Sequence, residues 1–160
     1  MQKNLTTVEK RSEREVLVTR AFNAPARLVF DAWTNPDLVR RWWAPKSHGC
    51  EIVECTAEVK VGGKYRYVNR VNGQEFAFFG EYLELVPYSK IVFTQVYENE
   101  AAAGACISTV TLTERDGKTF LTSLDVYPSK EACEGAIASG MESGLREILE
   151  QLEELLPTLK

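Results

Sequence analysis

The apolar positions of this chain follow two periods, and the change from one to the other marks out its elements. Val16 to Phe22 is dominated by β-formers and reads as a first strand. Asn23-Ala24-Pro25 ends it. Pro25 suits the first position of a helix, so Ala26 to Trp33 is predicted as a short one. Thr34-Asn35-Pro36 repeats the device, with Asn35 as candidate N-cap and Pro36 after it. Asp37 to Trp42 is then a second short helix, with the Asp37 charge in the first turn, where the helix dipole favours it.

From Cys50 onward the period is two. Ile52 to Val59 reads as a strand and Gly62-Gly63 as a turn. Lys64 to Val71 alternates, with Tyr65, Tyr67 and Val71 on one face and Lys64, Arg66 and Arg70 on the other. One face buried and one wet is what an antiparallel sheet allows. Asn72-Gly73 predicts a type I′ hairpin, and Phe76 to Leu85 runs back to Pro87. Lys90 to Tyr97 follows, then a loop of small residues from Glu98 to Gly104. Ile107 to Glu114 and Thr119 to Val126 are joined by a second hairpin turn, Asp116-Gly117. The prediction is one strand, two short helices and a meander of six strands.

The helical period returns at the end. Ser129 is the candidate N-cap and Glu131 lies in the first turn. Ile137, Met141, Leu145, Ile148, Leu152 and Leu155 form one apolar stripe, with Glu142, Glu147, Glu150, Glu153 and Glu154 mostly off it, until Pro157 stops the helix. A meander with one apolar face needs a cover, and this is the only long amphipathic helix available. It is expected to lie across the concave face of the sheet, with the two short helices closing one end. Gly135, Gly140 and Gly144 fall inside the helical pattern. Each interior glycine costs about 1 kcal/mol relative to alanine. Small residues there serve either close packing on the sheet or space for a ligand. The two readings differ in whether protein fills the volume beside Gly140 and Met141.

Length and composition narrow the class. The chain of 160 residues is 44% hydrophobic and 26% charged, which fits one globular domain. The expected division is a flexible N-terminal tail over residues 1–14 and one domain over 15–160. The net charge is −4 and the basic residues are scattered, the densest run being Lys10 to Arg14, interrupted by Glu13. That argues against nucleic acid as a partner. Met1 to Arg14 is polar, with no apolar stretch suited to a signal peptide or membrane span, so a cytoplasmic location is expected. Cys50, Cys55, Cys106 and Cys133 form no C-x-x-C pair. Cys50 and Cys55 would point to opposite faces of a regular strand, so buried free thiols are expected.

Catalytic signatures are missing from the sequence. The one histidine, His48, lies in a loop, and there is no G-x-S-x-G elbow, H-E-x-x-H, Walker motif or G-x-G-x-x-G. No catalytic residue, metal site or cofactor is therefore expected. Gln95, Asn69 and Glu51 are the polar groups that could serve a pocket.

Several segments carry a family resemblance. They are Arg20-Ala21-Phe22-Asn23-Ala24-Pro25, Val29-Phe30-Asp31-Ala32-Trp33-Thr34-Asn35-Pro36, and Arg41-Trp42-Trp43-Ala44-Pro45. Gly62-Gly63-Lys64-Tyr65-Arg66-Tyr67, Gly80 to Pro87, and Gly140-Met141-Glu142-Ser143-Gly144-Leu145 follow in order. Together they resemble the START-like (SRPBCC) superfamily, and within it bacterial proteins similar to activator of heat-shock-protein ATPase. The resemblance spans Val16 to Leu156. It implies an α+β helix-grip fold: a seven-stranded curved antiparallel sheet with two short helices and a long C-terminal helix over an apolar cavity. Leu145 departs from the pattern, since relatives often carry tryptophan after the glycine.

Fold alone does not fix function. The first expectation is binding of a hydrophobic small molecule or lipid between the helix and the sheet. Its candidate lining is Trp42, Trp43, Tyr65, Tyr67, Phe78, Phe93, Ile137, Met141 and Leu145. The alternative is co-chaperone-like binding of a protein partner through an exposed apolar surface. A third reading is a cyclase-like enzyme on an aromatic or polyketide substrate, which requires buried polar groups with shifted pKa values facing the pocket.

Overall fold

Two dipeptides set the frame of the sheet. Asn72 and Asp116 take φ of 51° and 53°, and Gly73 and Gly117 follow at 79° and 75°. These are the paired left-handed residues that a two-residue hairpin needs. The pairs Val71↔Gln74 and Arg115↔Lys118 close the two hairpins.

The structure, a computed structural model, describes residues 4–159. In chain order its elements begin with strands β1 (Thr7–Lys10) and β2 (Glu15–Phe22), then helices α1 (Ala26–Thr34) and α2 (Pro36–Val39). Strands β3 (Glu51–Ala57), β4 (Lys64–Val71), β5 (Gln74–Val86) and β6 (Lys90–Tyr97) follow. Strands β7 (Cys106–Arg115) and β8 (Lys118–Val126) complete the sheet, and helices α3 (Lys130–Ala138) and α4 (Met141–Leu155) end the chain. The sheet order is β1-β2-β8-β7-β6-β5-β4-β3, and every neighbouring pair is antiparallel. The architecture is the expected curved α+β helix-grip.

The sheet has eight strands, not the expected seven. The extra one is β1, inside the segment read as a tail; it pairs with β2 from Thr7↔Thr19 to Lys10↔Val16. Thr7-Val8-Glu9-Lys10 carries one large apolar side chain, so it offers no periodicity to read. Its backbone ladder to β2 holds it as an edge strand.

A second correction concerns the last helix. The sequence pattern predicted one helix from Ser129 to Pro157; two form, α3 and α4, with Ser139 and Gly140 between them. Ser129 is the N-cap, its Oγ accepting from Ala132 N at 3.0 Å. At the other end of α3 the Ser139 hydroxyl turns back and donates to Ala136 O at 2.6 Å. Gly140 then takes φ of 87°, which a side chain rarely adopts, and α4 starts on a new axis. The first half of the predicted apolar stripe therefore loses its phase. Two smaller adjustments follow from the same capping rules. Pro25 is the N-cap of α1 rather than its first residue, and α2 is a single turn, capped by Asn35 Oδ1 accepting from Asp37 N at 3.0 Å.

The core lies between the concave face and α4. Val16, Val18 and Phe22 of β2 are buried together with Ile91, Val110 and Leu121 of the central strands, and with Leu149, Leu152 and Leu155 of α4. One inward position of β2 is not apolar. Arg20 is 4% exposed and donates to Glu150 at 2.8 Å, Glu153 at 3.1 Å and Thr6 Oγ1 at 3.2 Å. A buried cation with several acceptors fixes position more than it adds net stability. Here it sets where α4 lies on the sheet.

Candidate functional site

The inward-facing side chains of β4 to β8 do not meet the helices everywhere. A cavity of about 980 Å³ separates them. Its floor follows the strand period. Tyr65, Tyr67 and Asn69 come from β4, Phe78 and Tyr82 from β5, and Phe93 and Gln95 from β6. Cys106 and Ser108 of β7 and Ser123 and Asp125 of β8 continue it. Gly135 and Ala136 of α3 and Met141, Gly144 and Leu145 of α4 form the roof. Trp33, Trp42 and Trp43 close one end.

That end is fastened to α4. Gln151 Nε2 donates to Trp42 O and Ala44 O at 2.8 and 2.9 Å, and Gln151 Oε1 accepts from Lys46 N at 2.9 Å. Ser47 N donates to Glu147 at 2.8 Å. Trp42 is 1% exposed, its indole N–H donating to Ala32 O at 2.8 Å. Trp43 meets Tyr67 and Phe78 edge-on, with centroids 5.1 and 5.3 Å away.

Of the predicted lining, Trp42, Trp43, Tyr65, Tyr67, Phe78, Phe93, Met141 and Leu145 are brought together around this cavity. Ile137 is not. It is 42% exposed, because the break at Ser139-Gly140 turns it away from the face that Met141 and Leu145 occupy. The glycine question is also answered. A Cβ on Gly135 or Gly140 would meet nothing within 4 Å, and one on Gly144 would meet only Pro45 Cγ at 3.8 Å. Gly135 and Gly144 line the cavity and neither is in tight contact with the sheet, whereas Gly140 is exposed and lies outside that lining. Gly80 is the opposite case: a Cβ there would lie 1.8 Å from Thr94 O, on the path by which Tyr65 Oη donates to that same carbonyl at 2.6 Å.

The polar side of the cavity was only partly foreseen. Gln95 and Asn69 line it, whereas Glu51 is exposed near Arg70 and does not. The group that sequence reasoning missed is Asp125. Its Oδ1 accepts from Ser108 Oγ at 2.7 Å and from Ser123 Oγ at 3.2 Å. Burial pushes its carboxyl up from 3.8 to about 6, against the pull of those two hydroxyls. Strand period was the available signal, since Thr119, Leu121, Ser123 and Asp125 share the inward face of β8. An acid at such a position is uncommon enough to mark.

Nearby groups stay neutral. Burial, and then the Asp125 charge, push the Cys106 thiol up to about 12, so it is no thiolate nucleophile at neutral pH. Burial likewise raises the phenols of Tyr65, Tyr67, Tyr82 and Tyr127. Tyr127 Oη lies 3.6 Å from Met141 Sδ, linking the end of β8 to the roof. Trp33 Nε1 and Asn69 Oδ1 are buried without a protein partner among the described residues. Cys55 and Cys133 are buried free thiols, as expected; Cys50 and Cys106 are half-buried on the cavity wall. His48 ends a short turn, Lys46–His48, and its side chain lies outside the described residues. Among the described residues no cluster of His, Cys, Asp and Glu could hold a metal ion, and no helix is long and apolar enough to cross a membrane.

A second hollow of about 500 Å³ opens over β3 to β5, beside Thr56, Lys64, Arg66 and Phe79. Its guanidinium is already engaged, since Arg66 pairs with Glu54 at 2.9 Å and Glu98 at 3.1 Å.

Comparison with known proteins agrees with this architecture. Residues 23–157 match the family described as activator of Hsp90 ATPase homolog 1-like protein. A crystal structure from Rhodobacter sphaeroides superposes with a TM-score of 0.88 at 24% identity, covering 96% of this chain and 99% of the other. A solution structure from Staphylococcus epidermidis gives 0.79 at 28% identity, with 96% of each chain covered. A crystal structure from Chromobacterium violaceum gives 0.78 at 26%, covering 91% of this chain and 98% of that one. No curated protein sequence matches the chain.

Proposed function

We propose, for a chain that belongs to the activator of Hsp90 ATPase homolog 1-like family within the SRPBCC proteins, that it binds a hydrophobic small molecule between its last two helices and its sheet. The cavity carries this reading. At about 980 Å³ it is large enough for a drug-sized molecule, and apolar and aromatic side chains make up most of its lining. Gly135 and Gly144 support it, since both line the cavity and neither is held in tight contact with the sheet. Leu145, where relatives often carry tryptophan, lines the same volume.

Partner binding through an apolar surface draws less support. The large exposed apolar side chains include Val59 and Val61 in the β3–β4 loop, Leu83 and Val86 on β5 with Tyr88 after it, and, on other elements, Leu5, Ile107, Phe120 and Ile137. The loop is bonded to β5 at Tyr82, beside Leu83, so among the described residues this edge is the one place where such a partner would sit. Catalysis on a hydrophobic substrate is favoured by one observation, the enclosed Asp125 carboxyl with its raised pKa.

Filling the cavity tests the binding reading. Gly135 is the position of choice, since its backbone is helical and its Cβ direction is open, whereas any side chain at Gly140 is strained. Gly135→Trp is expected to weaken binding of N-phenyl-1-naphthylamine, a neutral apolar fluorophore, at least tenfold while the far-UV circular dichroism stays unchanged. Equal affinity in the folded variant would refute the cavity as the binding place.

A further inference from the structure

Charge in the cavity is one-sided. Its lining includes two carboxylates, Asp125 on the floor and Glu131 on α3, and among the described residues no lysine or arginine. The basic side chains of β4 point the other way: Arg66 binds Glu54 and Glu98, and Arg70 binds Glu75, on the outer face. Arg20 faces inward but is engaged by Glu150 and Glu153. No cation within the site answers Asp125.

The hydrogen bonds of Asp125 are one-sided as well. Ser108 and Ser123 both donate to Oδ1. Among the described residues Oδ2 receives no donor, although a carboxylate has acceptor capacity on both oxygens. The serines also hold the carboxyl in place: Ser108 is its cross-strand partner on β7, and Ser123 precedes it by two on the same face of β8. A fixed carboxylate in an aromatic-walled cavity has two complements: a cation, which aromatic faces also favour, or a neutral hydrogen-bond donor. A carboxylate ligand would place like charges together in a low dielectric with nothing to neutralise them.

We infer that Asp125 is the head-group receptor of this cavity, and that it selects ligands with an apolar body and a hydrogen-bond donor head, an amine before a hydroxyl, against fatty-acid-like carboxylates. This rests on the reading of the cavity as a binding place, and it adds the chemical class of the ligand.

The selection depends on pH. The titratable groups that interact with Asp125 are Cys106 on β7 and Tyr127 after β8; Tyr65, Tyr67, Tyr82 and Tyr97 of the floor, Cys50, and Glu131 on α3 line the same cavity. The cavity residues of α4 (Met141, Gly144, Leu145, Ile148 and Leu149) contribute none. The Cys106 thiol and the Tyr82 and Tyr127 phenols are neutral at pH 7, so Asp125 is the floor group whose charge changes near there. Above about pH 6 it is ionised and prefers an ammonium; below, it is protonated and the preference fades.

Displacement of N-phenyl-1-naphthylamine by three probes on one skeleton tests this: 2-(1-naphthyl)ethylamine, 2-(1-naphthyl)ethanol and 1-naphthylacetic acid. At pH 7.5 the amine is expected to displace the fluorophore at a concentration at least tenfold lower than the acid, with the alcohol between. At pH 5 that gap narrows. Asp125→Asn is expected to bring amine and alcohol within about twofold of each other, each measured against the fluorophore in the same variant. Ser108→Ala keeps the carboxylate but removes a donor that lowers its pKa, so the pH midpoint of amine preference moves up. An acid that displaces as well as the amine at pH 7.5, or an order unchanged in Asp125→Asn, overturns the inference and leaves the binding reading standing. A fluorophore that never enters the cavity overturns both. If Asp125→Asn does not fold, the pH series on the unaltered protein decides, and a flat series counts against the inference.

Discussion

Asp125 is the residue at which burial works against the fold. In the unfolded chain its carboxyl loses its proton near the ordinary value; in the folded state it keeps it to about pH 6. Between those values the folded state binds more protons, so stability falls as pH rises through this window, and the penalty is complete above it. Holding a carboxyl that titrates at about 6 rather than 3.8 in its ionised form costs about 3 kcal/mol. Asp125→Asn, whose amide oxygen can still accept from Ser108 and Ser123, is therefore expected to raise unfolding stability at pH 8 by about 1–3 kcal/mol and to change it little at pH 4. Urea unfolding at the two pH values measures the difference; destabilisation at pH 8 would mean the carboxylate is paired. A natural chain that keeps such a penalty at one position accepts it for a use, and head-group recognition is one. Strand parity is the one sequence signal that could have marked Asp125 as inward, and a single acid at the end of β8 carries no motif. The aromatic lining was legible for a different reason: Tyr65, Tyr67, Phe78 and Phe93 lie in strands whose alternation is regular.

At the scale of the element, α4 divides into a half that lines the cavity and a half that packs as core. Met141 and Leu145 border open volume, whereas Leu152 is 0% exposed and lies outside the cavity lining. Truncation of a buried leucine costs the transfer of its methyl groups and the void left behind, about 2–5 kcal/mol. A side chain that already faces a cavity loses fewer contacts. Leu152→Ala is expected to destabilise the ligand-free protein by about 3 kcal/mol or more, and Met141→Ala by less than about 2 kcal/mol. Equal losses in denaturant unfolding would place Met141 in packed core. The break before α4 explains why Ile137 was misplaced. Spacings of three and four run unbroken from Ile137 to Leu155, so periodicity cannot register a change of axis. Only Gly140 could have signalled it, and a glycine in a helical pattern is read as a tolerated cost until its φ is known. The Arg20 clamp was hidden in the same way, since partners about 130 positions apart leave no local trace.

For the whole molecule, the order of elements was legible because the signals that set it are local: two hairpin dipeptides, proline stops and alternating strands. The helix-grip arrangement follows from the need to cover one apolar face with one amphipathic helix. Edge strand β1 was not legible, because its four residues carry a single large apolar side chain, Val8, which is too little to show a period. The family supports the same architecture, and the volume left between sheet and helices is what the account assigns to a ligand. Backbone amide NMR during titration with N-phenyl-1-naphthylamine tests that assignment most directly. The largest shifts are expected at floor and roof residues such as Tyr67, Phe93, Cys106, Asp125 and Met141, with little change on the outer surface. Shifts concentrated instead at exposed Leu83, Val86 and Tyr88, with the cavity residues unmoved, would contradict it.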